Sequence, residues 1–168
     1  MSAEDIVIRR ATLDDAQALS DYMNALADEN LEQLSGLRPA PEEESKFVRK
    51  ADEAECASIL IALDGMRVVG LIDLWGGTGS HNRHTGRLGM SVLAPYRRKG
   101  IGRALLNRVV EEAKTWPDFC RIELEVVPWN EPAIRLYETA GFVLEGTKRN
   151  AGRLRGKLTD LMLMALVW

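Results

Sequence analysis

The sequence predicts an α+β domain built on a single mixed, mostly antiparallel sheet of six to seven strands, with helices on both of its faces. Two observations predict it: hairpin-like strand pairs occur in the chain, and two strand–helix–strand units are mixed with them. Hairpins join antiparallel neighbours, whereas strand–helix–strand units join parallel ones, so a sheet that holds both is mixed. The chain has 168 residues, 46% of them apolar. We therefore expect residues 1–168 to bury one core as a single domain.

The N-terminal half of the chain predicts four strands and two helices. Apolar residues recur at helical spacing behind Thr12 and Asp15, which resemble a capping box at the start of a helix. The dipeptide Asp64–Gly65 between two apolar runs is typical of a hairpin turn. In chain order, the predicted elements are a strand over 6–11, a helix to about Asn30, a loop over 31–41, a helix over 42–55, strands over 57–63 and 67–75, a polar loop over 76–85 and a strand over 87–93.

The C-terminal half predicts two further helices and three strands. Pro117 is expected to end the first of these helices. The second lies between Asn130, a favourable N-cap residue, and Gly141, which is placed to stop it. In chain order, the predicted elements are a basic turn over 97–102, a helix up to Pro117, a strand over 121–127, a helix over 131–140, and strands over 142–148 and 159–167 that a basic Gly/Arg connection joins.

Composition excludes several classes of protein. Lys plus Arg is 22 and Asp plus Glu is 25, so the formal charge is −3, which argues against general binding of nucleic acid. No run of about 18 apolar residues lacks charge, so we expect no membrane span. Met1–Asp5 is followed by Arg9 and Arg10 with no apolar h-region, so we expect no secretory signal and a cytoplasmic protein. We expect no metal site, because Cys56 and Cys120 form no CxxC pair and the loop residues His81 and His84 have no obvious third ligand.

The basic turn at 97–102, RRKGIG, carries the strongest chemical signal. It lies between a strand and a helix, so backbone N–H groups and the positive end of the helix converge there. Gly100 and Gly102 have no Cβ atoms to block close approach. The pattern indicates a phosphate or pyrophosphate ligand, but lacks the GxxxxGK of a Walker A loop and the GxGxxG of a dinucleotide site. A structural turn with solvated basic residues is the alternative. The basic side chains are Arg97, Arg98, Lys99 and Arg103.

Residues 96–106, YRRKGIGRALL, resemble the acetyl-CoA signature of the GNAT N-acetyltransferase superfamily, whose core is (Gln/Arg)-x-x-Gly-x-(Gly/Ala). Residues 130–142, NEPAIRLYETAGF, match the second signature of that family, N-x-x-A-x-x-x-Y-x-x-x-G-F. The two signatures stand in the expected order, with one helix and one strand between them. The resemblance covers about residues 5–167 by the order of elements and is specific over 86–148. It implies a GNAT-like fold and acetyl-CoA as co-substrate, with no metal.

The resemblance also implies which residues bind the cofactor. The backbone before the turn would pair with the pantetheine arm, and the Val92 amide would lie near the thioester carbonyl, where an oxyanion forms on attack. Amides from Arg98 to Arg103 would cradle the pyrophosphate, and Asn130 would donate to or accept from the pantetheine. The expected cofactor-binding residues are Met90, Ser91, Val92, Arg97, Arg98, Lys99, Gly100, Ile101, Gly102, Arg103 and Asn130.

Acetyl transfer to an amine needs two proton movements. The acceptor ammonium must lose a proton before it attacks, and the departing thiolate benefits from a proton donor. By the resemblance, Tyr137 is the general acid. Glu125, on the same strand face as Glu123, lies five residues before Asn130, as the base does in the ribosomal-protein alanine branch of the family. Glu125 could instead be solvated or pair with a basic neighbour, and Tyr137 could be a packed aromatic residue. Pro128 and Trp129 depart from the smaller residues that the family has before Asn130.

The acceptor is the least determined part of the function. Acidic residues around the first helices would favour a cationic amine, and basic residues before the last strand would favour a carboxylate. We expect a small primary amine, such as an amino acid. A protein N-terminus is the alternative, and a non-catalytic acyl-CoA-binding module is the alternative of another class. The final strands and Trp168 also allow a homodimer. The two charged sets are Asp28, Glu29, Glu32, Glu42, Glu43 and Glu44, and Lys148, Arg149, Arg153, Arg155 and Lys157.

Overall fold

The computed structural model describes residues 6–29, 37–154 and 156–168. Within these ranges, seven strands form one open sheet in the order β1-β2-β3-β4-β5-β7-β6. The strands are β1 Ile6–Arg10, β2 Ala57–Asp64, β3 Arg67–Gly76, β4 Thr85–Val92, β5 Arg121–Val126, β6 Val143–Leu154 and β7 Lys157–Val167. The helices are α1 Ala16–Asp28, α2 Pro41–Glu53, α3 Ile101–Ala113 and α4 Glu131–Thr139.

The sheet is mixed and mostly antiparallel, which confirms the predicted fold class. Only β4 and β5 run parallel; the neighbours β1/β2, β2/β3, β3/β4, β5/β7 and β6/β7 are antiparallel. The parallel pair arises because α3 connects β4 to β5 and carries the chain back to the end of the sheet from which β4 starts. Farther along the sheet, β4 and β5 separate from each other.

Each face of the sheet is covered by one pair of helices. Side chains alternate along a strand, so one set packs under α1 and α2 and the other set under α3 and α4. Tyr22 of α1 and Val48 of α2 share one buried cluster with Ile61. Leu105 of α3 and Tyr137 of α4 share the other with Ile72. We call these two sides of the sheet the α1/α2 face and the α3/α4 face.

The start of the first helix follows the predicted capping pattern, with one detail added. Leu13–Asp15 form a 3₁₀ turn before α1. The backbone N–H of Thr12 donates to Asp15 Oδ2 at 2.7 Å, and Arg9 donates to both carboxylate oxygens, each at 2.7 Å. These contacts with Arg9 and Thr12 lower the pKa of Asp15 to about 2. A buried carboxylate therefore fixes where α1 begins.

Two predictions about the C-terminal half are wrong. Residues 149–158 do not form a loop connection: β6 extends to Leu154 and β7 starts at Lys157. A bulge between Lys148 and Gly152 absorbs extra residues, and the N–H of Asn150 donates to Asp160 Oδ1 at 2.8 Å. Edge strands that are exposed carry polar residues, so their composition resembles that of a loop. Helix α3 also ends at Ala113, before Pro117.

Candidate functional site

The strands β4 and β5 separate along the sheet. They pair through three residue pairs, from Thr85↔Arg121 to Arg87↔Glu123. Beyond these pairs, Leu88–Val92 and Leu124–Val126 continue without pairing to each other within the described chain. We call the space between these two segments the β4/β5 gap. A cavity of about 200 Å³ opens where the strands part. It is lined by Arg87, Leu88, Glu123, Leu124, Glu125 and Leu163.

The backbone of β4 presents its amides to the β4/β5 gap in an alternating pattern. The N–H of Leu93 donates to Val69 O on the β3 side at 2.9 Å. Because antiparallel pairing alternates, the N–H groups of Ser91 and Gly89 also point toward β3, and those of Met90 and Val92 point toward the gap. Of the three predicted β4 residues, Met90 and Val92 therefore offer backbone donors to a ligand. The Ser91 side chain instead bonds to the Tyr22 hydroxyl at 2.8 Å on the α1/α2 face.

The turn before α3 has the geometry that its two glycines require. Gly100 has φ +83°, a left-handed conformation in which a side chain is strained, and it is the N-cap of α3. The first hydrogen bond of α3 runs from the Ala104 N–H to Gly100 O, at 3.0 Å. The amides of residues 101–103 therefore have no partner within the helix. A Cβ on Gly102 would make only ordinary contacts, 3.4 Å from Leu136 Cδ2. Packing against the protein therefore does not account for the glycine at 102.

The four basic side chains near this turn differ in their contacts. Arg98, Lys99 and Arg103 are exposed and make no ion pair with another residue of the described chain. Lys99 Nζ lies 5.2 Å from the centroid of the Tyr96 ring. These three leave positive charge beside the free helix amides, which suits an anionic ligand.

Arg97 is occupied instead by contacts within the protein. Its Nε donates to the Val92 carbonyl at 2.8 Å, and its guanidinium forms an ion pair with Glu29. The same Glu29 accepts from the Ala94 N–H at 2.7 Å. Arg97 therefore ties the end of β4 to the end of α1, a role that its place in the basic turn did not suggest.

The second signature forms α4, as predicted. Asn130 is the N-cap of that helix, and its side chain accepts from the Ala133 amide at 3.4 Å. Tyr137 lies on the α3/α4 face, 6% exposed, with its ring centroid 5.7 Å from that of Phe142. Burial raises the pKa of Tyr137 to about 12. The phenol is therefore protonated at neutral pH, the state that a general acid requires.

Glu125 lies on the α1/α2 face of β5, because the neighbouring Leu124 and Val126 are buried on the opposite face. Its Oε1 accepts from Lys148 Nζ at 2.5 Å and from Arg87 at 3.4 Å. Glu123 is paired similarly, with Arg87 and Arg121 at 3.2 Å each. The pairing with a basic neighbour, which the sequence left open, is therefore present. It does not remove the carboxylate from the gap, because Glu125 lines the cavity described above.

Two polar side chains on the α1/α2 face were missed from the sequence. Tyr22 is buried on α1, and its hydroxyl reaches Ser91 of β4. Asp73 stands in the apolar run of β3, and Trp75 Nε1 donates to its Oδ1 at 2.9 Å. Burial raises the pKa of Asp73 to about 6. An acidic residue inside an otherwise apolar strand was the available signal.

The two charged sets expected near the acceptor are only partly available to it. Glu29 is bound to Arg97, and Glu44 is buried on α2, where burial and Glu43 raise its pKa. Glu32 and Arg155 lie outside the described residues. Across the described residues, no three His, Cys, Asp or Glu side chains are grouped so as to hold a metal ion. None of the helices described is long and apolar enough to cross a membrane.

Comparison with known proteins identifies similar acetyltransferases. The chain is 29% identical over 170 residues to the L-amino acid N-acetyltransferase AaaT of Escherichia coli, a match that covers 97% of this chain and 98% of that protein. An acetyltransferase of the GNAT family from Streptococcus pneumoniae has a crystal structure that superposes with a TM-score of 0.91 and 26% identity, covering 97% and 99% of the two chains. The ribosomal-protein-alanine N-acetyltransferase from Brucella melitensis superposes with a TM-score of 0.86 and 25% identity, covering 96% and 99%.

The family model described as the acetyltransferase (GNAT) family matches residues 23–142, which include the C-terminal half of α1, the basic turn, the β4/β5 gap and both signatures. The matched range thus contains the glycine turn and the basic side chains that form no ion pair within the described residues. The chain thus belongs to the GNAT family and is an acetyl-CoA-dependent N-acetyltransferase.

Proposed function

We propose that this enzyme transfers the acetyl group of acetyl-CoA directly to the primary amine of a small metabolite such as an amino acid. The observation that carries the proposal is the similarity over nearly the whole of both chains to the L-amino acid N-acetyltransferase of Escherichia coli. Glu123, Glu125 and Arg87 line the cavity beside the β4/β5 gap, so carboxylates and a guanidinium are both present for the ammonium and the carboxylate of such an acceptor.

The acetyl donor would lie in the β4/β5 gap. The amides of Met90 and Val92 would pair with its pantetheine arm, Asn130 would contact that arm from the start of α4, and the amides from Arg98 to Arg103 would bind its diphosphate. Arg98, Lys99 and Arg103 add charge there. Arg97 and Ser91 would act indirectly, by holding α1 against β4 through Glu29 and Tyr22. When bound, the donor supplies the activated acetyl group.

Two side chains would move the protons. Glu125 would accept a proton from the ammonium on the α1/α2 face, and Tyr137 would give a proton to the departing sulfur from the α3/α4 face. The two groups stand on opposite faces of the sheet, and the β4/β5 gap connects these faces. Deprotonation and protonation can therefore occur on either side of the reacting carbon.

A protein or peptide N-terminus is the second candidate acceptor. The similarity to the ribosomal-protein-alanine N-acetyltransferase and the triplet Leu124-Glu125-Val126 favour it. Release of CoA thiol would be measured with the protein amino acids, with polyamines and with peptides that begin with alanine. We expect the fastest release with an amino acid. Release with the peptides alone would select the second candidate, and binding of acetyl-CoA without release from any amine would indicate a binding module.

We further propose a homodimer through the last two strands. Val143, Leu144 and Leu158 are apolar and 49–66% exposed on this hairpin. Trp168 is partly covered within its own chain, with its ring centroid 6.0 Å from that of Phe119. Sedimentation of the wild type and of Leu144→Asp tests this: we expect a dimer that the variant dissociates, and a monomeric wild type would contradict it.

A further inference from the structure

Asp73 carries a carboxylate oxygen that has no hydrogen-bond partner among the described residues. The residue lies on the α1/α2 face of β3 between the buried Ile72 and Leu74 and is itself half-buried. Trp75 Nε1 donates to Oδ1 at 2.9 Å, but Oδ2 takes part in no hydrogen bond or ion pair with any other described residue. No side-chain polar atom of the described residues is both buried and unpaired, so Oδ2 is open to solvent or to a ligand.

The unpaired oxygen lies over bare backbone. Asp73 pairs with Gly89 of β4, and a Cβ built on Gly89 would stand 2.9 Å from Oδ2. Any side chain at position 89 would therefore displace the carboxylate or cover the space beside it. The Asp73 carboxylate therefore lies directly beside the Gly89 backbone on the α1/α2 face.

Gly89 and Asp73 lie next to the β4/β5 gap, where the acetyl donor would bind. Gly89 precedes Met90, whose amide points into the β4/β5 gap. Asp73 and Glu125 lie on the same face of the two strands that flank β4. Because β4 and β5 part beyond Glu123, these two strands stand at least two strand spacings apart, roughly 10 Å or more. An amino group above Gly89 would lie between the two carboxylates.

The charges on this face distinguish Asp73 from its neighbours. Glu123 and Glu125 each have cationic partners in Arg87, Arg121 or Lys148. Asp73 forms no ion pair with a described residue. A cation brought beside Asp73 would gain its attraction without displacing a Lys or Arg side chain.

We propose that Asp73 binds and orients the protonated amino group of the acceptor above Gly89, before that group passes its proton to Glu125. This assignment rests on the proposed function, since it requires an amine acceptor. It makes Asp73 the residue that selects a cationic amine, and it places the ammonium beside the thioester carbon before any proton moves.

The test compares Asp73→Asn with the wild type by the rate of CoA thiol release. The Asn side chain keeps an acceptor for Trp75 and removes only the charge. One acceptor is the amino acid that the wild type uses fastest, and the other is hydroxylamine, which is uncharged at neutral pH. We expect KM for the amino acid to rise about 30-fold. We expect kcat, KM for acetyl-CoA and KM for hydroxylamine each to stay within about threefold of the wild-type value.

Trp75→Phe is the matched control, because it removes the hydrogen bond and keeps the charge. We expect its KM for the amino acid to stay within about threefold of the wild type. An unchanged KM in Asp73→Asn would overturn the proposal. Equal losses for both acceptors would also overturn it, as would the same loss in Trp75→Phe, because each would indicate a structural role.

Gly89→Ala is a second variant in case Asp73→Asn does not fold. Its methyl group would displace Oδ2, so we expect a higher KM for the amino acid and an unchanged Kd for acetyl-CoA; an unchanged KM would refute the assignment. The two proposals fail differently. If none of the amines tested supports thiol release by the wild type, the proposed function fails and the role of Asp73 fails with it. If the wild type is active and the variant is unaffected, only the role of Asp73 fails.

Discussion

The basic turn at 97–102 and the α1/α2 face beside Gly89 differ in the groups that they offer to a reactant. The turn offers backbone amides from consecutive residues, and Gly100 fixes their direction through its positive φ. The α1/α2 face relies on side chains from separate strands, such as Asp73 and Glu125, which the sheet brings together. A donor site made of backbone can be shared by many enzymes, whereas an acceptor site made of side chains can change one residue at a time.

The largest effect is expected at the turn. In Gly102→Val, a branched side chain would enter the space of the diphosphate, so we expect Kd for acetyl-CoA to rise by at least about 100-fold. Calorimetric titration measures it. Gly146→Val is the matched control, because a Cβ at Gly146 meets no atom within 4 Å. Retained affinity in Gly102→Val would show that the diphosphate binds elsewhere.

The next effect tests the acid on the α3/α4 face. Tyr137→Phe keeps the ring and removes the proton donor, so we expect kcat to fall about 100-fold or more with KM for acetyl-CoA nearly unchanged. Steady-state rates over a range of pH provide the measurement. Tyr96→Phe, which loses only a hydroxyl bonded to Asp64, should remain close to the wild type. A Tyr137→Phe enzyme with full kcat at every pH would rule out the acid role.

A smaller effect is expected from the base on the α1/α2 face. Glu125→Gln should lower kcat about 10- to 100-fold near neutral pH, with partial recovery at high pH as the amine deprotonates in solution. The pH profile of kcat/KM measures this. Glu145→Gln is the control, since Glu145 pairs with Arg121 away from the cavity lining. If Glu125→Gln kept the wild-type profile, another group would have to accept the proton.

The smallest effect on activity is expected where a charge serves only the fold. Asp15→Asn weakens the contacts with Arg9 and Thr12 at the start of α1, and we expect a loss of about 1 kcal/mol in the free energy of unfolding with unchanged KM values. The pKa of Asp15 is lowered to about 2. Its stabilisation is therefore complete above the unfolded pKa of about 4 and is lost as the pH falls toward 2.

Urea unfolding at pH 7 and at pH 3 tests this prediction. The difference between Asp15→Asn and the wild type should shrink at the lower pH. A difference that stayed constant would assign the effect to something other than the charge of Asp15.

The parts that the sequence predicted are those that depend on neighbouring residues. The turn with Gly100 and Gly102 and the capped helix after Asn130 are local patterns, and both stand where they were expected. The strand Lys157–Val167 was predicted too short, because an exposed edge hairpin needs no apolar alternation to pair.

What the sequence did not reveal depends on pairing between distant residues. Asp73 meets Gly89 only through the register of β3 and β4, and Tyr22 meets Ser91 only because α1 packs on β4. The ion pair of Arg97 with Glu29 joins residues far apart in the chain. No spacing within one segment encodes such contacts, so the acceptor side required the structure.

The central claim is that the amides of the glycine turn and of β4 hold acetyl-CoA across the β4/β5 gap. The most direct test is a titration of ¹⁵N-labelled protein with acetyl-CoA, followed through amide chemical shifts. We predict saturable shifts at Gly100, Ile101 and Gly102 and at Met90 and Val92, with little change at Gly146 on β6. Saturable binding that left the turn amides unshifted would contradict the account.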